Sequence, residues 1–243
     1  MEFRMEAACL STLGEGRTQN GVNFYFGGRS LTPENRGLRN PVTMAAPLGE
    51  EQCFAVFDEL GGNGLAAYAA ARRMKAETER LRDFMIPERP FLTDLFRTMN
   101  ESVRKEAAGG ACAAASLLFS SHLVYVCSLG GVRAFRLRSG EFMQISRPGA
   151  VRRSTEGLLP PAAMLGADLS AFRLDPYVAK GELKSRDQYL LVSAGVTDAL
   201  SNLEIAGLLM DAASVEDGVE SLVEAARLKG GDADAAALVC RVI

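Results

Sequence analysis

Residues 54–62 read Phe54-Ala55-Val56-Phe57-Asp58-Glu59-Leu60-Gly61-Gly62. Four apolar residues lead directly into an acidic pair, and a pair of glycines follows. A short apolar run that ends at a turn signal predicts a buried strand. Because Asp58 comes at the end of this strand, where a sheet meets solvent, its carboxylate is a candidate metal ligand. The alternative is that Asp58 only caps or orders the turn after the strand.

Outward from this strand, the pattern of apolar residues predicts two helices and a series of strands. Strands are predicted at residues 3–13 and 23–26, and residues 27–51 are predicted to be mainly loop, with a short strand near Val42. The helices are predicted at residues 65–85 and 91–107, the second from apolar residues spaced three or four apart. Short alternating runs between residues 112 and 145 predict an antiparallel meander.

The second half of the chain repeats this change from strands to helices. Residues 146–170 are predicted to be an irregular excursion, followed by strands at 172–178 and 189–193. Helices near 202–210 and 214–228 then precede a final strand at 235–243. Because strands and helices are segregated rather than alternating, the pattern favours an α+β fold over a parallel α/β sheet. We found no repeat or linker, so residues 1–243 are predicted to form a single domain.

Composition excludes several classes of protein. The chain has 243 residues, of which 48% are hydrophobic, enough for the core of one large domain. Its net charge of −3 gives no reason to expect nucleic-acid binding. The five cysteines are odd in number and form no Cys-x-x-Cys pair, which argues against a disulfide framework or a zinc site. No apolar run reaches membrane-spanning length, and no signal core follows the N-terminus, so we expect a soluble cytoplasmic protein with no membrane contact.

Five segments, in order along almost the whole chain, resemble the sequence boxes of the metal-dependent protein phosphatases, the PPM or type-2C family. The segments are Gly16-Arg17-Thr18-Gln19-Asn20-Gly21-Val22, the stretch at 54–62, Leu129-Gly130-Gly131-Val132-Arg133-Ala134, Leu190-Leu191-Val192-Ser193-Ala194-Gly195-Val196-Thr197-Asp198 and Asp234-Ala235-Ala236-Ala237-Leu238-Val239. The resemblance implies two antiparallel sheets packed face to face, with helices outside each sheet.

The resemblance also implies a chemistry, in which two Mn²⁺ or Mg²⁺ ions activate a water that hydrolyses phosphoserine and phosphothreonine. Carried over by position, the metal ligands are Asp58, the backbone carbonyl of Glu59, and Asp234. Arg17 matches the arginine that binds the phosphate. In isolation, an arginine at the surface would simply be solvated, so both readings of Arg17 remain open at this point.

The chain departs from the family pattern at the positions that should supply most of the remaining ligands. In the first box, Gly21 and Val22 stand where the family has acids. Gly131 in the third box and Ala194 in the fourth each stand where the family has an aspartate, and Leu60 in the second box stands where it has a histidine. Two carboxylates offset only half the charge of two divalent ions, so we expect no fully occupied pair of ions. A single Mg²⁺ or Mn²⁺ could bind weakly, and the Glu59 carboxylate or Asp232 could replace a lost ligand.

These departures predict a pseudophosphatase, a phosphatase-like protein that acts by binding in phosphorylation signalling. Its partner would be a protein: a phosphoprotein, a kinase or an active phosphatase. The alternative is an active Mn²⁺- or Mg²⁺-dependent phosphatase with a reduced or rearranged metal site. A third reading is an unrelated interaction domain that shares only the strand pattern. Arg152 and Arg153, in the excursion, are either a solvated pair or a contact for an acidic partner.

Overall fold

Eleven strands and five helices lie in the part of the chain that the computed structural model describes, which is residues 3–48, 52–61, 63–81, 88–147, 164–170, 174–230 and 232–243. The strands are β1 (Arg4–Thr12), β2 (Val22–Phe26), β3 (Val42–Pro47), β4 (Gln52–Glu59), β5 (Cys112–Ser120), β6 (Leu123–Leu129), β7 (Arg133–Arg138), β8 (Glu141–Gln144), β9 (Tyr177–Glu182), β10 (Gln188–Val192) and β11 (Ala235–Val242). The helices are α1 (Leu65–Leu81), α2 (Glu88–Glu106), α3 (Ala194–Ala199), α4 (Asn202–Asp211) and α5 (Val215–Gly230).

The strands form two sheets in which every pairing between the named strands is antiparallel. The six-stranded sheet A has the order β3-β1-β11-β10-β7-β8, and the five-stranded sheet B has the order β2-β4-β5-β6-β9. The first and last strands of the chain are therefore neighbours in sheet A. The prediction of an α+β fold built from two antiparallel sheets flanked by helices is confirmed.

The packing of the layers follows from the alternation of side chains along each strand. In β4, Phe54 and Val56 join the hydrophobic cluster between the two sheets, whereas Ala55 and Phe57 join the cluster beneath α1 and α2. A third cluster packs the outer face of sheet A against α3, α4 and α5. The order of layers is thus helix, sheet, sheet, helix. Asp58, two residues after Val56, lies on the face of β4 that looks toward the other sheet.

The two long helices on sheet B agree with the prediction except at their ends. Helix α1 is described as far as Leu81, and residues 82–87, where the predicted end at residue 85 falls, lie outside the described residues. Helix α2 begins at Glu88, three residues earlier than predicted. Pro90 is tolerated there because the first turn of a helix needs no backbone N–H from it.

The sequence analysis assigned no element between the strand at 189–193 and the helix near 202–210. In the structure, Ala194–Ala199 forms the short helix α3 there. Gly195, Val196 and Thr197 are weak helix formers, and six residues are too few to show a helical period. Packing against α5 and the start of β11 stabilises this helix instead.

The strand expected at 172–178 also lies elsewhere, at Tyr177–Glu182. It is an edge strand whose register is set by pairing with β6, from Leu123 opposite Glu182 to Ser128 opposite Tyr177. Half of its residues are polar or glycine, so the apolar pattern gave no signal for it. The irregular excursion is described only at 146–147 and 164–170, so Arg152 and Arg153 lie outside the described residues.

An ion pair between the partly buried Arg138 and the buried Asp187 stabilises the end of sheet A that lies opposite Asp58. Arg138 donates from Nε and Nη2 to the two carboxylate oxygens of Asp187, at 2.7 and 2.5 Å. The Tyr189 hydroxyl and the backbone N–H of Lys184 donate to the same carboxylate. Burial, followed by the charge of Asp187, raises the pKa of the Tyr189 phenol, which therefore stays protonated and acts as a donor.

Replacing Arg138 tests this ion pair. Arg138→Met should lower the free energy of unfolding by about 3 kcal/mol, because it leaves the Asp187 carboxylate buried without its cation. Arg136 is the matched control: it lies on the same strand, its side chain is equally buried, and its one ion pair with a described residue is a long one, with Glu141 at 3.7 Å. Arg136→Met should cost less than about 1 kcal/mol. Urea denaturation of both variants measures the difference, and equal losses would contradict this assignment.

Candidate functional site at one end of the sandwich

The two surviving aspartates of the family boxes meet at the same edge of the two sheets. Asp58 is the antiparallel partner of Val22 at the start of β2. Asp234, which precedes β11, accepts a hydrogen bond from the backbone N–H of Gly21, the residue next to Val22. Because Gly21 and Val22 are adjacent, the two acids lie near each other at this edge, although Asp58 is on sheet B and Asp234 precedes a strand of sheet A.

Asp234 is buried, and both of its carboxylate oxygens are in use. Its Oδ1 accepts from the backbone N–H of Gly14 at 2.9 Å, and its Oδ2 accepts from Gly21 at 2.7 Å. Arg17 Nε lies 3.1 Å from the same Oδ2. Only 5% of the Asp234 side chain is exposed. The carboxylate thus ties together the loop between β1 and β2, and a guanidinium supplies the positive charge beside it.

Asp58 links sheet B to the segment that follows a strand of sheet A. Its Oδ2 accepts from the backbone N–H of Ala194 at 2.8 Å, so an acid on sheet B contacts the first residue of α3, which follows β10 of sheet A. Gly195 comes next and presses against the backbone of Asp234. A Cβ at Gly195 would lie 2.1 Å from the Asp234 carbonyl oxygen. Asp58 therefore contacts the start of α3 at Ala194, and the backbone of Asp234 contacts it at Gly195.

The side-chain carboxylate and the backbone carbonyl of Glu59 lie in different surroundings. Its carboxylate accepts from the backbone N–H groups of Ala66 and Ala67, at 2.8 and 3.2 Å, and so caps the start of α1. A carboxylate at this position is favoured by the unpaired N–H groups and by the helix dipole. The Glu59 carbonyl oxygen instead lies on the Asp234 side, 3.6 Å from where a Cβ of Gly21 would be. The carbonyl is therefore the group of Glu59 that faces the candidate site.

Arg17 is held by the turn that precedes it. Its backbone N–H donates to the Gly14 carbonyl at 3.3 Å, and Gly16 adopts a positive φ of 73°, which glycine tolerates without strain. About one third of the side chain is exposed. Among the described residues, only Asp234 forms an ion pair with it. The Nε edge of the guanidinium therefore faces the buried carboxylate, and the side chain as a whole is only partly exposed.

The positions that lack the expected acids differ in their surroundings. Val22 is buried in the core between the sheets, and Leu60 is 40% exposed. A Cβ at Gly21 would meet Asp234 Oδ2 at 3.3 Å and Arg17 Nη2 at 3.7 Å, whereas a Cβ at Gly131 would meet nothing within 4 Å. Gly21 is therefore crowded by the ion pair, while Gly131 has open space.

Two further groups, Cys112 and Asp232, lie near the site. Burial, and then the charges of Asp58 and Glu59, raise the pKa of the Cys112 thiol well above its usual value, so it stays protonated. Asp232 is exposed and lines a pocket with Asp198 and Arg227 on the α3 and α5 side of sheet A. Its role as a replacement ligand stays a prediction.

These residues do not fit a pair of divalent ions. Within the described ranges, no group of three or more Asp, Glu, His or Cys side chains is arranged to hold a metal. Two ions would bring four positive charges to Asp58 and Asp234, and Asp234 already accepts from two amides and a guanidinium. The assignment of Asp58, Glu59 and Asp234 as weak metal ligands stays a prediction, as does that of Arg17 as a phosphate ligand.

Sequence reasoning found the two aspartates but missed their partners. Backbone amides of Gly14, Gly21 and Ala194 donate to the two carboxylates, and the side chains of these three residues carry no chemical signal. It also missed the role of Asn20, whose amide oxygen accepts from Val22 N and whose Nδ2 donates to Ser11 Oγ. The buried Asn20 thereby fixes the backbone that presents Gly21 to Asp234.

Comparison with solved structures identifies the fold. The serine/threonine phosphatase PstP/Ppp of Mycobacterium tuberculosis aligns over 99% of both chains with a TM-score of 0.73 and 20% identity. PppA of Pseudomonas aeruginosa, described as a key regulatory component of T6SS, aligns over 98% of both chains with a TM-score of 0.72 and 21% identity. MsPP of Mycobacterium smegmatis, a PPM Ser-Thr phosphatase, aligns over 97% of both with a TM-score of 0.70 and 19% identity.

The chain therefore has the fold of the PPM-type serine/threonine phosphatases, as the sequence boxes predicted. PstP has also been crystallised with two manganese ions. No family sequence profile matches the chain, and no curated protein is similar enough in sequence to count as a relative. No helix in the described ranges is long and apolar enough to cross a membrane.

The contact between Gly195 and Asp234 predicts a strong effect of a single methyl group. Gly195→Ala should destabilise the protein by about 2–3 kcal/mol, because the new Cβ would collide with the backbone of Asp234 and force α3 away from it. Gly207→Ala in α4 is the control, since a Cβ there would meet nothing within 4 Å. The control should be neutral or stabilise by up to about 1 kcal/mol through helix propensity. Thermal and urea unfolding measure both, and a neutral Gly195→Ala would contradict this contact.

Proposed function

We propose that this protein is a pseudophosphatase: it keeps the PPM phosphatase fold but binds rather than hydrolyses its target. The observation that carries the proposal is the state of the surviving acids. Asp234 is held by Gly14, Gly21 and Arg17, and Asp58 accepts from Ala194. In a hydrolytic site, these carboxylate oxygens would coordinate metal ions; here they accept hydrogen bonds from groups of the protein itself.

The replaced residues support the same conclusion. Hydrolysis of a phosphate monoester needs an activated water and a positive clamp on the phosphoryl oxygens. Val22 and Ala194 cannot contribute carboxylates, and Leu60 can neither donate nor accept a proton. Of the remaining groups, the Arg17 guanidinium can hold an anion, whereas Asp58 and Asp234 accept hydrogen bonds from backbone amides.

Arg17 is the residue proposed to contact the phosphoryl group. Its side chain is about one third exposed at the edge of the site, and its Nε faces Asp234. A planar guanidinium pairs well with phosphate oxygens. Because the structural neighbours act on phosphorylated serine and threonine, we propose a phosphoprotein as the bound partner. A kinase or an active phosphatase recognised in its unphosphorylated form is the alternative partner.

A second candidate function is an active phosphatase with a rearranged metal site. It is favoured by one observation: Asp58, Asp234 and the Glu59 carbonyl all face the same edge. Mg²⁺ can be held by one or two carboxylates together with water and phosphate. In that case Asp58 would be essential for turnover.

Metal titration and phosphate release, measured on the same preparation, separate the two functions. We expect the unmodified protein to bind Mn²⁺ weakly in calorimetry and to release little phosphate from p-nitrophenyl phosphate or phosphopeptides. Robust Mn²⁺-dependent turnover that Asp58→Asn abolishes would overturn the proposal and establish the second candidate.

Restoring carboxylates at positions 22 and 194 should increase the affinity of the site for Mn²⁺. In the double variant Val22→Asp with Ala194→Asp, carboxylates return to two positions where the family has them. Because position 22 is buried, the new charge should destabilise the protein unless a cation binds it. We therefore expect Mn²⁺ to raise the melting temperature of the double variant and to leave that of the parent nearly unchanged. Equal shifts in both would show that the parent already binds the metal well.

A further inference from the structure

We propose that Arg17 is the resident cation of this site, occupying with its guanidinium the role that a divalent ion would otherwise have beside Asp234. The inference goes beyond the proposed function, because it concerns the charge that holds the site together and requires no partner. It starts from the 3.1 Å contact between Arg17 Nε and Asp234 Oδ2.

The burial of Asp234 creates the need for a cation. Only 5% of its side chain is exposed, and a buried carboxylate without a compensating charge is costly. The amides of Gly14 and Gly21 offer partial charges, whereas Arg17 supplies a full one. Arginine suits this position because its guanidinium stays charged and is more weakly hydrated than an ammonium group.

The loop is shaped around this ion pair. Gly21 is the point where a side chain would have to share space with Asp234 Oδ2, Arg17 Nη2 and the Glu59 carbonyl oxygen, which lie 3.3, 3.7 and 3.6 Å from an added Cβ. An acidic side chain at Gly21 would therefore compete with Arg17 for the same volume. The absence of a side chain at Gly21 thus leaves the space in which Arg17 reaches Asp234.

Buried hydrogen bonds keep the backbone of this loop in place. Asn20 links the Val22 amide to Ser11, and the Ser11 hydroxyl donates in turn to the Val22 carbonyl at 3.3 Å. All of these groups are buried. The loop is therefore anchored independently of Arg17. Removing the Arg17 side chain should leave a formed cavity in which the Asp234 carboxylate keeps its two amide donors but has no counter-charge.

This arrangement has an unusual consequence for metal binding. If Arg17 is the resident cation, then Arg17→Met should increase the affinity for Mn²⁺, because the Asp234 carboxylate loses its counter-charge and the guanidinium no longer repels a divalent ion. We expect a gain of about tenfold or more in the association constant, since one tenfold step needs only a modest change in free energy. If Arg17 only binds phosphate, the same variant should leave Mn²⁺ affinity unchanged.

The experiment is a calorimetric Mn²⁺ titration and a melting curve for each of four proteins: the parent, Arg17→Met, Arg17→Lys and the control Arg36→Met. Arg36 is exposed and lies in the neighbouring loop, where it forms no ion pair with a described residue. In EDTA, Arg17→Met should melt about 5–10 °C below the parent. Added Mn²⁺ should recover much of this loss, while Arg17→Lys and Arg36→Met should behave like the parent.

Two outcomes would overturn the inference: unchanged Mn²⁺ affinity in Arg17→Met, or an equal gain in Arg36→Met, which would indicate a general charge effect. If Arg17→Met does not fold, the double variant Arg17→Met with Asp234→Asn removes both charges. It should fold without metal and gain no Mn²⁺ affinity, whereas failure of this variant to fold in EDTA would contradict a role limited to charge. Phosphate release by the parent would refute the proposed function without bearing on these affinities.

Discussion

The contacts of the buried Asp234 carboxylate hold together the end of the sandwich that contains the candidate site. It accepts from Gly14 after β1 and from Gly21 before β2, and it faces Arg17 between them. Because β1 belongs to sheet A and β2 to sheet B, this one side chain fixes the connection between the sheets. Asp58 makes the reciprocal link from sheet B to α3. The end of the molecule where a metal centre would be expected is thus closed by hydrogen bonds of the chain itself.

This arrangement relates stability to function. A hydrolytic site needs acids that are held in place yet free to coordinate metal, which is costly without the ions. Here Glu59 caps α1 with its carboxylate, and Asp234 is neutralised by Arg17. Each acid thereby stabilises the fold in the absence of metal. Under the proposed function, the contacts that stabilise the scaffold would also limit hydrolysis, and the partly exposed Arg17 at its edge would contact the partner.

Much of the fold could be predicted from sequence because its signals are local. The apolar run before Asp58, the spacing in α2 and the order of the five boxes predicted the strands, the helices and the two-sheet architecture. Local signals failed at α3, where Gly195 and Thr197 disfavour a helix that tertiary packing imposes. They failed again at β9, an edge strand whose register comes from β6 rather than from its own apolar pattern.

The candidate site was predictable only in part, since side-chain identity does not reveal backbone partners. Asp58 and Asp234 could be selected by their positions, but their amide donors could not. The central claim is that Arg17 and these amides, and not metal ions, hold the site. Diffraction from crystals soaked in millimolar Mn²⁺ tests this most directly. We predict an unchanged Arg17–Asp234 contact without a pair of ions at the edge; two ions about 3.5–4 Å apart, bridged by Asp58, would contradict it.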